Sequence, residues 1–297
     1  MSPAGLQTGV LARVAALGCL WGTAFLFVHI ALRDLSALQV SFGRLAGAGA
    51  ILTIMVAATR SREARRLPSG HARLTVLGLA FTNGVVPYTS IAYAQTQVAS
   101  SVAAIFNAAT PLITLALAVI IRAEPPLSPR RVLGVAVGFC GVAWMFGFAV
   151  ADGPIGARLA LMVAATSYAI SFIIAGRAQI SGVDSGLVAA RALSWGAVLI
   201  FPVVVAVDGL PAHPSYSALL ALLGLAVLAT ALPYLIYLNL VRDAGPSAAS
   251  LATYVVPVVG VLLGWAFLNE SISGREILGA SLVLIGVWLA QRRVIEQ

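Results

Sequence analysis

Ten long apolar runs, separated by short polar breaks, limit what this chain can fold into more than any other feature of its sequence. Each run holds roughly 18 to 25 residues, the length at which an α-helix crosses about 30 Å of hydrocarbon. Charged residues make up only 9% of the 297 residues, against about a quarter in soluble domains, so they cannot cover a water-facing surface. The runs occupy residues 14–32, 37–58, 73–94, 97–121, 131–149, 157–176, 186–207, 216–240, 246–268 and 275–291.

Helices are the expected conformation of these runs, because backbone groups in lipid must find their hydrogen-bond partners within the segment. The alternating ten-residue segments that are typical of an outer-membrane β-barrel are absent from the sequence. We therefore predict an all-α membrane protein with ten transmembrane helices.

The net charge of +8 could suggest nucleic acid, but the positions of the basic residues indicate membrane topology. All 18 basic residues are arginine, and most lie in every second loop. These are Arg60, Arg62, Arg65, Arg66 and Arg73 after the second run, Arg122, Arg130 and Arg131 after the fourth, and Arg177, Arg242, Arg292 and Arg293 after later ones. By the positive-inside rule, we predict a multi-pass protein of a bacterial inner membrane, with both termini cytoplasmic and no nucleic-acid partner.

The chain repeats itself at an offset of 146 residues (233 − 87 for two of its prolines). Residues 77–94 read LGLAFTNGVVPYTSIAYA, and residues 223–240 read LGLAVLATALPYLIYLNL. The gapless alignment pairs Pro87 with Pro233, Tyr88 with Tyr234, Pro111 with Pro257 and Glu124 with Glu270. We predict two domains, a first five-helix repeat over residues 1–150 and a second over residues 151–297.

Five spans per repeat is an odd number, so the second repeat is expected to be inverted in the membrane relative to the first. Two inverted repeats around a central cavity are typical of carriers that alternate access, because exchanging the conformations of the halves moves the opening to the other side. Two other interpretations stay open: a duplication that only builds a larger bundle, and a channel.

Several motifs together resemble the drug/metabolite transporter superfamily, EamA type. They are Trp21-Gly22, Arg44, Thr110-Pro111, the glutamates Glu124 and Glu270 that close spans four and nine, and Gly-x6-Gly in spans five and ten. Within that superfamily the chain looks similar to bacterial amino-acid exporters of the YddG kind. The resemblance implies a basket-like fold in which helices one, three, four, six, eight and nine enclose the substrate cavity. Tyr168-Ala169 stands where a Trp-Ala pair is commoner, a departure that bears on substrate identity.

Polar and aromatic side chains within these helices are the candidate cavity residues, because polar groups inside a membrane face protein or water. The asparagines could bind substrate or join neighbouring helices, and Trp21 and Tyr168 could stack against an organic substrate. Tyr237, near a span end, is expected in the interfacial aromatic belt instead. The candidate set is Trp21, Asn83, Tyr88, Asn107, Thr110, Tyr168, Tyr234 and Tyr254.

Four prolines within spans are candidate hinges: Pro87, Pro111, Pro233 and Pro257. Each removes a helix hydrogen bond and frees a carbonyl one turn earlier. In carriers such breaks supply hinges and ligands near the membrane midplane. A passive kink is the alternative, since membrane helices tolerate proline.

Arg44 and Arg191 are the formal charges that lie well inside predicted spans. An isolated guanidinium there costs several kcal/mol on insertion scales, so each arginine is expected to have a partner or a wet path. Either could cap carbonyls of a broken helix or bind a substrate carboxylate.

The ten acidic residues all lie in loops or at span ends. Since a proton-coupled carrier usually needs a buried carboxylate, the sequence predicts uniport, facilitated diffusion or exchange. We interpret the chain as an inner-membrane alternating-access transporter that exports small metabolites, chiefly amino acids, with aromatic or other neutral ones included. The alternatives are a polyspecific drug/metabolite efflux carrier with proton coupling and a channel-like permease.

Motifs of membrane-embedded enzymes are absent: the sequence has no H-E-x-x-H, no G-x-S-x-G and no pair of membrane aspartates. Its three histidines, His29, His71 and His213, are too scattered in the sequence to suggest a metal site. We expect no catalysis, no cofactor and no metal. The expected partners are a small-molecule substrate and the lipid bilayer, for a monomer or, alternatively, a dimer.

Overall fold

The computed structural model of the chain describes residues 3–61, 70–98, 100–122, 128–146, 154–179, 184–268 and 274–291, and every regular element in these ranges is a helix. The first half contains α1 Pro3–Ala31, α2 Ala37–Thr59, α3 Gly70–Leu79, the π-helical segment π1 Ala80–Val85, α4 Val86–Gln95, α5 Ser100–Asn107, α6 Thr110–Ile120 and α7 Pro129–Phe146. The second half contains α8 Ile155–Gln179, α9 Ser185–Val207, α10 Tyr216–Ala226, π2 Val227–Ala231, α11 Leu232–Ala244, α12 Pro246–Ser250, α13 Ala252–Leu268 and α14 Gly274–Gln291.

Six helical stretches in the described part of the chain are long and apolar enough to cross a membrane. They are Gly9–Ala31, Ala37–Thr59, Gly70–Gln95, Ile155–Arg177, Ser185–Val207 and Tyr216–Ala244. The prediction of an all-helical membrane protein is thereby confirmed. The other four predicted spans contain shorter or interrupted helices, namely α5 with α6, α7, α12 with α13, and α14. Glu124 and Glu270, predicted to close spans four and nine, lie outside the described residues.

The interruptions occur where the sequence cannot continue an α-helix. Two residues without helical conformation separate α5 from α6, and Pro111 stands in the first turn of α6, where its missing N–H removes no helical hydrogen bond. Before α12, Gly245 has a φ of 83°, a conformation that suits glycine because it lacks a Cβ.

The two π-helical segments occur at matching places in the repeated sequence, each followed directly by a proline-bearing helix. Within them the backbone N–H of Val86 bonds the Phe81 carbonyl, and that of Leu232 bonds the Val227 carbonyl. Both bonds span five residues instead of four, so the helix is locally wider. One π segment therefore lies inside the long span Gly70–Gln95 and the other inside Tyr216–Ala244.

Contacts near both ends of the long helices join the first half of the chain to the second. Between α1 and α2, the Ser36 hydroxyl bonds the Asp208 carboxylate, and Gln39 Nε2 donates to the Gly209 carbonyl at 3.0 Å. At the arginine-rich end, Arg13 on α1 pairs with Asp243 on α11 at 2.6 Å. These surface contacts fix neighbouring helices relative to each other, although a single exposed ion pair adds little stability.

α7 and α14 pack on each other through glycines, and their backbones approach closely. A Cβ at Gly134 would lie 2.5 Å from the Ala290 nitrogen, and one at Gly141 would lie 2.7 Å from the Val283 nitrogen. Small residues at such positions are the usual means by which membrane helices associate, because lipid supplies no hydrophobic driving force between them.

A methyl group at this contact tests the packing. Gly134→Ala is expected to lower the free energy of unfolding by about 1–3 kcal/mol, since the new Cβ overlaps a backbone atom that cannot move aside. Thermal unfolding of purified protein in detergent measures the change. Gly260→Ala on α13 is the matched control, because a Cβ there meets nothing within 4 Å. Equal melting temperatures for the two variants would contradict the close approach.

Candidate functional site

A small cavity of about 30 Å³ lies among α1, α2, α4, α5, α8 and α13, with room for about two water molecules. Its lining residues are Trp21, Ala24, Phe25, Val28, Arg44, Ile91, Gln95, Asn107, Tyr168, Phe172 and Thr253. Four of them come from the second half of α1. Beside the lining residue Trp21 the helices α1 and α13 approach closely, since a Cβ at Gly22 would lie 2.6 Å from the Val259 Cβ.

Aromatic rings form one wall of the cavity around Trp21. The Trp21 and Tyr168 rings stack with centroids 6.5 Å apart, and Phe172 meets Trp21 edge-on at 6.2 Å. Tyr237 lies 6.0 Å from Trp21, and its hydroxyl donates to the Ser171 carbonyl at 2.9 Å. Such rings offer flat apolar faces to an organic ligand at little conformational cost.

The π segments interrupt two long helices: α3–π1–α4 is called the first broken helix and α10–π2–α11 the second. Arg44 brings a guanidinium to the cavity, and its side chain is bonded to the second broken helix. Nε donates to Thr230 Oγ1 at 2.7 Å, and Nη2 donates to the Ala229 carbonyl at 3.0 Å. Ala229 lies four residues before Pro233, so this carbonyl is one that the proline deprives of its helical donor. The guanidinium carbon also lies 3.7 Å from the centroid of the Tyr88 ring, a cation–π contact. The arginine is 4% exposed.

The first broken helix satisfies its freed carbonyl differently. Ser167 on α8 donates to the Thr82 carbonyl at 2.9 Å, and Thr82 lies five residues before Pro87, the spacing of the π-helical ladder. An offset of 147 residues, one more than for the prolines, pairs Arg44 with Arg191 in the repeat, but the structure places these two arginines in different surroundings. Arg44 is buried at the cavity, whereas Arg191 is exposed on α9.

Two buried amides give the cavity hydrogen-bonding groups that protein atoms leave unused. Asn107 Oδ1 and Gln95 Oε1 are both buried and accept no hydrogen bond. Gln95 Nε2 donates to the Phe25 carbonyl at 3.2 Å and to Ser100 Oγ at 2.6 Å. An unpaired buried acceptor is unfavourable by about 1–3 kcal/mol, so both oxygens favour a ligand that donates hydrogen bonds.

The predicted site residues divide into three groups. Trp21, Arg44, Asn107 and Tyr168 line the cavity. Tyr88, Asn83, Thr110 and Tyr234 are buried outside this lining, with Tyr88 against Arg44 and the Tyr234 hydroxyl against the Asn83 side chain. Tyr254 is directed away, since its hydroxyl donates to the Val135 carbonyl of α7 at 2.7 Å.

The four candidate hinge prolines also occupy different settings. Pro87 and Pro233 follow the π segments, Pro111 lies in the first turn of α6, and Pro257 lies inside α13.

Sequence reasoning missed several lining residues and misplaced one tyrosine. Gln95, Phe25, Phe172 and Thr253 were not among the candidates; for Gln95 the signal was its spacing of seven residues from Tyr88, which puts both on one face of a helix. The prediction that Tyr237 lies in the interfacial belt is wrong, because it is fully buried against Phe172 at 5.1 Å.

A second, larger cavity of about 500 Å³ lies near the start of α9, among α2, α9 and α11. Arg60 and Asp184, which pair at 2.8 Å, are part of its lining. Among the described residues, none of the acidic side chains lines the smaller cavity, and no cluster of three metal-ligating residues occurs. The smaller cavity thus combines the guanidinium of Arg44, the unpaired amide oxygens of Asn107 and Gln95, and aromatic rings.

Comparison with known proteins gives a family match and several relatives. A model described as the EamA-like transporter family matches residues 8–147 and again residues 155–291. The chain is 29% identical to "Uncharacterized inner membrane transporter YedA" of Escherichia coli K12, over 92% of this chain and 88% of that protein. It is 25% identical to "Protein PecM" of Dickeya dadantii, over 92% and 89% of the two chains.

An archaeal relative and a solved structure extend the comparison. An "Uncharacterized transporter" of Archaeoglobus fulgidus is 23% identical over 92% of this chain and 95% of its own. A solved structure titled "Crystal structure of protein" superposes with a TM-score of 0.76 at 18% identity, covering 95% of this chain and 96% of that one. At that identity the superposition shows a shared fold.

The hydrogen bond between Arg44 and Thr230 provides a test of the site geometry. Thr230→Val is expected to lower the free energy of unfolding by about 1–3 kcal/mol, because Nε of a buried guanidinium loses its acceptor. Thermal unfolding in detergent measures this change. Thr59→Val is the control, since its exposed hydroxyl bonds only the Met55 carbonyl of its own helix. A loss no larger than that of the control would show that Arg44 does not depend on Thr230.

Proposed function

We propose that this protein is an alternating-access carrier that exports small metabolites, chiefly amino acids, across a bacterial inner membrane. The chain belongs to the EamA-like transporter family of the drug/metabolite transporter superfamily. The observation that carries this proposal is the cavity with Arg44 and two unpaired amides between aromatic side chains. A guanidinium binds a carboxylate well, and an amide oxygen accepts a hydrogen bond from an ammonium group. A zwitterionic amino acid fits this combination.

The proposed architecture is ten membrane crossings in two inverted five-helix repeats, over residues 1–150 and 151–297. Three observations support it. They are the 146-residue offset between the repeated sequences, the match of the family model to both halves of the chain, and the π segments that precede α4 and α11. In such a carrier the two repeats exchange conformations, and the cavity between them changes the side to which it opens.

The lining residues place the cavity along the second half of α1. With both termini in the cytoplasm, as the arginine pattern predicts, the cavity occupies the outer half of the membrane.

The absence of acidic side chains from the described lining of the cavity supports uniport or exchange. A proton-coupled carrier usually binds substrate and proton at a carboxylate in competition. Transport driven by the substrate's own gradient needs no such group.

Purified protein in proteoliposomes tests the activity. Labelled amino acids present outside are expected to enter in saturable counterflow against unlabelled amino acid inside. Conductance in single-channel recordings without counterflow would support a channel instead.

An imposed pH gradient tests the energy coupling. Because the cavity offers no carboxylate to carry a proton, we expect the gradient to leave the final accumulation of amino acid unchanged. Uptake above the equilibrium concentration that depends on the gradient would overturn uniport in favour of proton-coupled efflux.

Arg44 provides the matched test of the binding site. Arg44→Gln is expected to reduce counterflow of amino acids at least about tenfold, because the carboxylate loses a charged hydrogen-bond donor. Arg191→Gln, at the corresponding place in the second repeat but exposed, is expected to stay within about twofold of the wild type. Initial rates at several substrate concentrations measure both variants, and equal losses in the two would contradict a binding role specific to Arg44.

A further inference from the structure

We propose that Gln95 binds the far end of the substrate's side chain, so that the carrier prefers amino acids whose side chain ends in an N–H or O–H donor. The inference rests on the proposed function, because it takes the cavity to bind an amino acid. It goes further by assigning each end of the substrate to a place in the cavity.

The orientation of the Gln95 amide is fixed by its surroundings. Nε2 lies 3.2 Å from the Phe25 carbonyl, and a carbonyl oxygen only accepts hydrogen bonds. The nitrogen must therefore be on that side, and the same nitrogen also donates to Ser100 Oγ at 2.6 Å. Oε1 is left as an acceptor without a partner, on a side chain that is 8% exposed and lines the cavity.

We place Gln95 and Arg44 at different depths along α4. Tyr88, which contacts the Arg44 guanidinium, and Gln95 are seven residues apart on the continuous helix α4, a rise of about 10 Å. Helix α5 begins beside the end of α4, since Ser100 bonds Gln95, and we take it to run back along α4. Asn107 is seven residues after Ser100. Asn107 therefore lies near the depth of Arg44, about 10 Å from Gln95.

This arrangement assigns the two ends of an amino acid. Arg44 uses Nε and Nη2 in its bonds to the second broken helix. In a state whose cavity is wide enough for an amino acid, we place the α-carboxylate at the guanidinium of Arg44 and the α-ammonium at Asn107 Oδ1. The side chain then extends between Phe25 and Ile91, both of which line the cavity. A tyrosine hydroxyl lies roughly 6.5 Å from its α-carbon, and a hydrogen bond of about 3 Å completes the distance to Gln95.

The fixed acceptor gives the site a means to discriminate between side chains. Tyrosine or tryptophan can donate to Oε1, whereas phenylalanine leaves this buried oxygen unpaired. Sites built to hydrogen-bond a substrate group reject analogues that lack it far more strongly than sites that only measure size.

Competition between tyrosine and phenylalanine in proteoliposomes tests the inference. We expect the wild type to transport tyrosine with about a tenfold higher kcat/KM than phenylalanine, the effect of one well-formed hydrogen bond. Gln95→Leu is expected to bring this ratio below about twofold, because tyrosine loses its acceptor and phenylalanine no longer leaves one unpaired. Gln97→Leu, an exposed position two residues away, is the matched control and should keep the wild-type ratio.

The outcomes separate this inference from the proposed function. Saturable transport of both amino acids by the wild type at equal efficiency would overturn the role of Gln95 and leave the carrier function in place. A Gln95→Leu protein that loses both substrates equally would also overturn it, because Gln95 would then act on the structure as a whole. If Gln95→Leu does not fold, the wild-type ratio alone decides. Transport of no amino acid by the wild type would overturn both proposals.

Discussion

The hydrogen bond from Arg44 to the Ala229 carbonyl is the interaction on which the centre of this protein depends. A helix that contains proline inside a membrane leaves a carbonyl without its donor, and no water is present to replace it. Here a guanidinium from another helix takes that place, so the charge and the broken helix satisfy each other. The same contact holds a cation at the edge of the cavity. The second broken helix thus stabilises the buried Arg44 guanidinium, and that guanidinium is also a potential ligand for a carboxylate.

The two halves of the chain pair carbonyls of their broken helices with different side chains. Ser167 bonds the Thr82 carbonyl of the first broken helix, and Arg44 bonds the Ala229 carbonyl of the second, one place farther along the repeat. A serine hydroxyl is neutral and short, so the first break carries no charge into the cavity. The cavity is consequently asymmetric. A small ligand with unlike ends would benefit from such asymmetry, because it could bind in only one orientation.

Sequence reasoning predicted the helical membrane fold and the family, because both depend on patterns that extend over many residues: apolar length, repeat offset and ordered motifs. The structure brings the predicted residues Trp21, Asn107 and Tyr168 to one cavity. It failed where the outcome depends on contacts between helices. The sequence could not reveal that Arg44 is buried while Arg191 is exposed, since the repeat makes them equivalent. Nor could it place Tyr237 in the core or show that Phe25 fixes Gln95, because those facts arise from neighbours distant in the chain.

The glycine contact between α7 and α14 has a consequence for biosynthesis. The end of α7 and the start of α14 are 128 residues apart (274 − 146), which a ribosome takes roughly 6 to 26 seconds to add. During that interval the glycine face of α7 has no α14 to pack against and must be covered by lipid or by an insertion factor. Helix α14 thus completes a glycine contact whose other face was made much earlier.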